Sequence, residues 1–330
     1  MLGKKMLFPL VLLFFACMPL VSEALSVSIT EWELPSTDRF PHDAAVGKDG
    51  ALWFTAMGSN TLGKMDPKTG QFRSYSLKTK DSGPHGLVAD KEGNIWFTAN
   101  YKGYIGRLDP KTSAVAEFAI IDGQDLDPHT PIFDTKGSLW FTVQKGNLVG
   151  KLDPATGKTV LQKVPTEDAS PYGIAVNSHG IPFFCEFGSN KIGRIDPATL
   201  AIKEYTLPKD ARPRRIAITS DDMVWFTDYG RGYLGRLDPA TGKVEQWRSP
   251  GGRKSAPYGM AVTPDGAIWY SESGANPNTM VRFDRKTRTF QRWPVPSGGG
   301  VIRNMAATAD GNIYIACSGK NKVGIVRVRR

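Results

Sequence analysis

Short apolar runs recur along this chain, rich in β-branched and aromatic side chains and cut by Gly, Asp-Pro and Asp-Gly signals. That pattern reads as strand, turn, strand, and no window keeps a helical period for long. Around residue 85 the runs predict four strands: His85 to Ala89, Asn94 to Ala99, Tyr104 to Leu108 and Ala114 to Ile120. Four runs make one period, and the period repeats seven times. Its aromatic anchor falls at Trp53, Trp96, Trp140, Phe183, Trp225, Trp269 and Tyr314, spacings of 42 to 45 residues. The fold predicted is all-β, a seven-bladed β-propeller.

The last period ends after its third strand, Val323 to Val328. The segment Ile29-Thr30-Glu31-Trp32-Glu33-Leu34-Pro35 resembles the outer strands of the other periods, so residues 27 to 35 are expected to complete the last blade. Ahead of it, Lys4 and Lys5, the apolar run from Met6 and Ser22-Glu23-Ala24 predict a cleaved signal peptide over residues 1–24. Residues 25–330 then form a single propeller domain in a periplasmic or secreted protein. No second long apolar run follows, so no membrane span is expected.

Composition narrows the partners. The chain carries 42 basic and 32 acidic residues, a net charge of +10. Much of the basic excess sits at one repeated slot, Lys64, Arg107, Lys151, Arg194 and Arg236, spread around the ring. That distribution predicts a solvated periphery and no nucleic-acid surface. Cys185 and Cys317 fall in distant blades, which argues against a disulfide. Nothing points to oligomerisation, and a monomer is expected.

Two slots vary from blade to blade. The residue after each period's first Pro opens the innermost strand, at one mouth of the central channel. It reads His42, His85, His129, Tyr172, Arg214, Tyr258 and, in the degenerate seventh copy, Arg303. Three of the four histidines occupy this slot in consecutive blades; the fourth, His179, sits in a hairpin turn. The second slot closes strand two and reads Ala56, Ala99, Val143, Glu186, Asp228, Glu272 and Cys317. Antiparallel pairing brings both slots to one face, so the histidines are expected to look across the mouth at the three acids. Such convergent polar groups predict a pocket for a small-molecule or peptide-like ligand, with imidazole suited to general-base work and Arg214 and Arg303 to an anionic group.

The phrases Pro171-Tyr172-Gly173-Ile174, Ser189-Asn190-Lys191-Ile192-Gly193-Arg194-Ile195 and Trp225-Phe226-Thr227-Asp228 resemble those of the streptogramin lyases, the virginiamycin B lyase-like propellers. The resemblance covers residues 27 to 330. It implies a lyase that opens a cyclic depsipeptide ester by elimination, with Mg2+ and a His pair in the last two blades. Those blades carry Tyr258 and Arg303 here. A similar set stands rotated around the ring: His85 and His129 in consecutive blades, Asp127 two residues before His129, and Tyr172 in the next blade. Gln144 stands where the family's pattern has Glu. By this resemblance His129 is the expected base, with His85 beside it and Asp127 and Gln144 as metal or carbonyl support. Two other readings remain open. One is a non-catalytic ligand-binding propeller using the same mouth; the other is a lactonase built on Glu186, Asp228 and Glu272.

Overall fold

The computed structural model describes residues 25–329 apart from 122, 123 and 125; the expected signal peptide lies outside the described residues. The described residues form seven four-stranded antiparallel sheets, with one 3-10 turn at Ser318–Lys320. In the second sheet the strands are Pro84–Ala89, Ile95–Ala99, Tyr104–Leu108 and Val115–Ala119, in that order outward from the channel. The seventh sheet runs Ile302–Ala307, Ile313–Cys317, Lys322–Arg329 and then Ser26–Glu33. Ile29 lies opposite Val326 and Trp32 opposite Val323. The first described strand thereby covers what would be an open edge.

The repeated residues have repeated jobs. Trp53, Trp96, Trp140, Trp225 and Trp269 are buried, and most stack on an aromatic of the outer strand, as Trp96 does on Phe118 at 5.5 Å between centroids. The basic slot lies over the same anchors: Lys64, Arg107, Lys151 and Arg236 are 5.2 to 5.8 Å from the ring centroids of Trp53, Trp96, Trp140 and Trp225. The even spread of basic charge is therefore tied to the anchors. Gly63 is required because a Cβ there would stand 2.0 Å from the Phe54 ring. Cys185 and Cys317 are buried free thiols. No helix of the described residues is long and apolar enough to cross a membrane.

Candidate functional site

The innermost strands, from Pro41–Val46 in the first blade to Ile302–Ala307 in the seventh, share one irregularity. Pro41 pairs with Ala56 and Ala44 with Phe54, so His42 and Asp43 both stand opposite Thr55. Such a bulge kinks the strand and re-aims side chains. The Thr of the W-F-T phrase holds it in place. Thr55 Oγ1 accepts from the Asp43 amide at 3.0 Å and donates to the His85 carbonyl of the next blade at 2.7 Å. Thr98, Thr142 and Thr227 repeat both bonds.

Bulging turns two consecutive residues per blade toward the channel. The first makes the expected ring. His42 and His85 lie 3.8 Å apart between centroids, His85 and His129 4.0 Å, and His129 and Tyr172 3.8 Å. Tyr172 and Tyr258 share a hydroxyl–hydroxyl bond. The Arg214 guanidinium lies 3.8 Å over Tyr258 and 4.3 Å over Tyr229, and Arg303 lies 5.7 Å over Phe40. The three histidines are only 2 to 6% exposed.

The second bulged residue forms a layer beneath, and sequence reasoning missed it. It reads Asp43, Gly86, Thr130, Gly173, Arg215, Gly259 and Asn304. Arg215 crosses the channel: Nη2 donates to both Asp43 oxygens at 2.9 and 3.2 Å, Nη1 to Thr130 Oγ1 at 3.0 Å and Nε to the Arg303 carbonyl at 2.9 Å. Asn304 Nδ2 adds a bond to Asp43 at 2.9 Å. Glycine alternates with larger residues because the blades touch: a Cβ on Gly86 would stand 2.4 Å from the His129 carbonyl. A charged residue in a glycine slot was the available signal.

This layer sets the chemistry of the ring. Burial pushes the Asp43 carboxyl up, but Arg215 and the His42 bond outweigh it and hold the group well below the usual range. An ionised carboxylate only accepts, so His42 Nδ1, 2.9 Å from Asp43, carries the proton and Nε2 keeps its lone pair. Burial lowers the His42 pKa, with the Asp43 bond opposing. His85 and His129 are lowered much further, by burial and then by the neighbouring imidazole, and are neutral at pH 7. His129 Nδ1 is bonded to Thr130 at 2.8 Å, and His85 Nδ1 is buried without a partner.

The three acids do not face the histidines as expected. Glu186, Asp228 and Glu272 pair across the sheet with Pro171, Pro213 and Pro257, one residue before the ring, and successive residues take opposite faces. Their partners are entry loops and neighbouring strands. Glu186 bonds Ser189 at 2.9 Å, and Asp228 takes the Arg212 amide at 3.0 Å and Arg231 Nε at 2.7 Å. Glu272 accepts from Ser249 and the Gly251 amide, both at 2.6 Å, and forms an ion pair with Arg292 at 3.0 Å. Among the described residues the three carboxylates do not lie close enough to one another to share an ion.

The expected metal ligands also stand apart from the ring. Asp127 accepts two bonds of 2.9 Å from the Lys145 amide and one of 3.3 Å from Gly146, which makes it a loop staple. It borders a surface hollow with Asn100, Tyr101 and Leu126, and Gln144 is half-buried in the stapled turn. Among the described residues the one set of three ligand-type side chains close enough to share an ion is His42, Asp43 and His85. That set does not suit Mg2+, which takes oxygen ligands in near-octahedral geometry. Its two oxygens are on Asp43, and both already accept from His42, Arg215 or Asn304.

No curated protein sequence matches the chain. Among solved structures it is similar to a streptogramin B lyase, with a TM-score of 0.84 and 26% identity over 92% of this chain and 98% of that one. A virginiamycin B lyase from Staphylococcus aureus gives a TM-score of 0.83 at 24% identity, covering 91% of this chain and 99% of the other. A catalytically inactive variant of that lyase with quinupristin gives 0.82, at the same identity and coverage. The second and third likenesses speak for the fold alone. The profile of the virginiamycin B lyase family matches residues 23–180 and 158–329, nearly the whole described chain. The chain belongs to the virginiamycin B lyase family.

Proposed function

We propose that this chain is a ligand-binding propeller whose histidine-lined mouth holds a small organic anion. The observation that supports this is a charge imbalance. The acid bonded within the ring, Asp43, is already paired with Arg215. Arg214 and Arg303 have no carboxylate partner among the described residues, and each has a buried Nε without a bond. With neutral imidazoles between them, the mouth keeps two uncompensated guanidinium charges that match a carboxylate in charge and shape. Titration calorimetry with lactate, citrate and N-acetylglycine tests the reading. Binding of one of these should weaken at least about tenfold in Arg214→Gln and in Arg303→Gln, a change of one fully formed charged contact. Equal affinity for the uncharged amide analogue would overturn it.

The His42–Asp43 pair favours a second reading, a lyase that works without Mg2+. A carboxylate on Nδ1 orients the imidazole and stabilises the imidazolium, leaving Nε2 to accept a proton. His42 would take the acidic proton from the carbon adjacent to the one that bears the ester oxygen, as the C=C bond forms between those two carbons. The ester C–O bond breaks, and the leaving carboxylate meets Arg214 or Arg303. Streptogramin B incubated with the protein and a chelator separates the readings. Ring opening that survives chelation and disappears in His42→Gln selects the lyase; an intact antibiotic leaves the binding propeller.

A further inference from the structure

The entry loops beside the ring carry an anomaly on one side only. The residue before a blade's first Pro takes left-handed backbone in several blades, and there it is small: Gly83, Ser170 and Ala256 have φ of 60, 49 and 46°. The first blade places Phe40 in that slot at φ 55°, a conformation unfavourable for a bulky side chain. Two bonds hold it there. The Phe40 amide donates to Asn321 Oδ1 at 2.9 Å, and its carbonyl accepts from the Met57 amide at 3.1 Å. Burial does not account for the choice, because the side chain is 39% exposed. The second blade breaks the pattern from the opposite loop. Five blades have glycine five residues after the aromatic anchor, at Gly58, Gly188, Gly230, Gly274 and Gly319, whereas the second has Tyr101. Tyr101 is 55% exposed, lies over Gly83 and sets its hydroxyl 3.8 Å from Met57 Sδ. The same two slots hold Asp127 and Lys145 in the third blade and Arg212 in the fifth, so the aromatic rim belongs to blades one and two.

We propose that the anion held at the mouth is an aromatic carboxylate, its charge on Arg303 and its ring against Phe40; this rests on the reading of the mouth as an anion site. The two groups adjoin where the first blade meets the last. The Arg303 guanidinium lies 5.7 Å from the Phe40 ring centroid, and the Phe40 and His42 rings are 6.4 Å apart. Arg303 has no carboxylate partner among the described residues, and its Nε is buried without a bond. A bulky residue kept in a sparsely populated conformation with its ring half in solvent marks a ligand contact, since such strain clusters at ligand clamps. Phe40 chooses the ligand's class. Its face and edge carry opposite partial charge, so it favours an offset or edge-to-face aromatic partner over an aliphatic one of equal size. Met57 and Tyr101 continue the apolar rim toward the second blade.

Calorimetry with three N-acylglycines that share one carboxylate tests the proposal. N-benzoylglycine should bind about two- to tenfold more tightly than N-cyclohexanecarbonylglycine, the gain of one aromatic pair. Phe40→Leu should erase that preference and Phe40→Tyr should keep it, while neither moves the affinity for N-acetylglycine by more than about twofold. Arg303→Gln should weaken N-benzoylglycine about tenfold, having lost the charged contact. Equal binding of the benzoyl and cyclohexyl ligands, or a preference that survives Phe40→Leu, would overturn the aromatic contact and leave the anion site standing. An N-acetylglycine affinity that falls as far as that of N-benzoylglycine in Phe40→Leu would also overturn it, because Phe40 would then only position Arg303. If none of the three ligands binds, the anion site and the aromatic contact fall together.

Discussion

Blades one to three and blades six and seven present the same backbone to the channel mouth and different chemistry. The first group places His42, His85 and His129 in contact, with Asp43 behind them. The second places Tyr258 and Arg303, and spends the Tyr258 hydroxyl on Tyr172. A propeller lets the same slot be refilled blade by blade, because every inner strand carries the same bulge, with or without a threonine opposite it. The family's scaffold thus persists where its His pair does not. A carboxylate, moreover, has meaning only with its position in the bulge. Asp43, one residue past the ring, orients an imidazole; Glu186, Asp228 and Glu272, opposite the residue before it, tie loops.

The largest effect should come from breaking the layer that supports the histidine side. Arg215→Met leaves Asp43 buried and unpaired, and should cost about 3–5 kcal/mol in urea unfolding. The double variant Asp43→Leu/Arg215→Met should recover most of that loss; failure to recover would mean the pair is not one unit. On the other side, Asp228→Ala should cost about 1–3 kcal/mol, because it strips an acceptor from the Arg212 amide and Arg231. It should leave carboxylate binding at the mouth unaltered, and a lost affinity would return the acids to the site.

Acidification sets the two sides against each other. The folded ring refuses protons that the unfolded imidazoles take below their ordinary 6.5, so stability falls as pH drops through that value and keeps falling below it. Glu186 works in the opposite sense. Burial pushes its carboxyl up to about 7 from 4.5, so the folded state takes that proton first and gains stability as pH falls between those values. Three imidazoles outweigh one carboxyl, and the urea midpoint should decline from pH 7 to pH 5. Glu186→Gln should steepen that decline and His85→Gln should flatten it. The smallest effect concerns metal. Neither Mg2+ nor a chelator should move the melting temperature by more than about 1 °C, the result expected when nothing binds the native state preferentially. A clear shift with Mg2+ would restore the family's cofactor.

The repeat was legible because each anchor depends on local residues: a Trp, its stacked aromatic, and a Gly under a Phe ring. The ring of His42, His85, His129, Tyr172, Arg214, Tyr258 and Arg303 was legible for the same reason, being one slot read seven times. What stayed hidden depended on the bulge. Ideal antiparallel pairing placed Glu186 and His129 on one face, and a single extra residue per inner strand separates them. Arg215 was hidden by distance, since its partner Asp43 lies 172 positions away. The bonds of Asp127 stayed hidden because no pattern marks which carboxylates will be taken by amides of a loop.

Seven is odd, and the alternation of glycine with larger residues beneath the ring cannot close around it. One pair of neighbouring blades must place two larger residues side by side, and the mismatch falls between Asn304 and Asp43. That seam joins the last blade to the first, next to the sheet that holds both ends of the described chain. The parity defect and the chain's own junction therefore coincide. The carboxylate that orients His42 acquires its full set of donors only when the circle is complete, so an unclosed ring would carry the histidines without their electrostatic support.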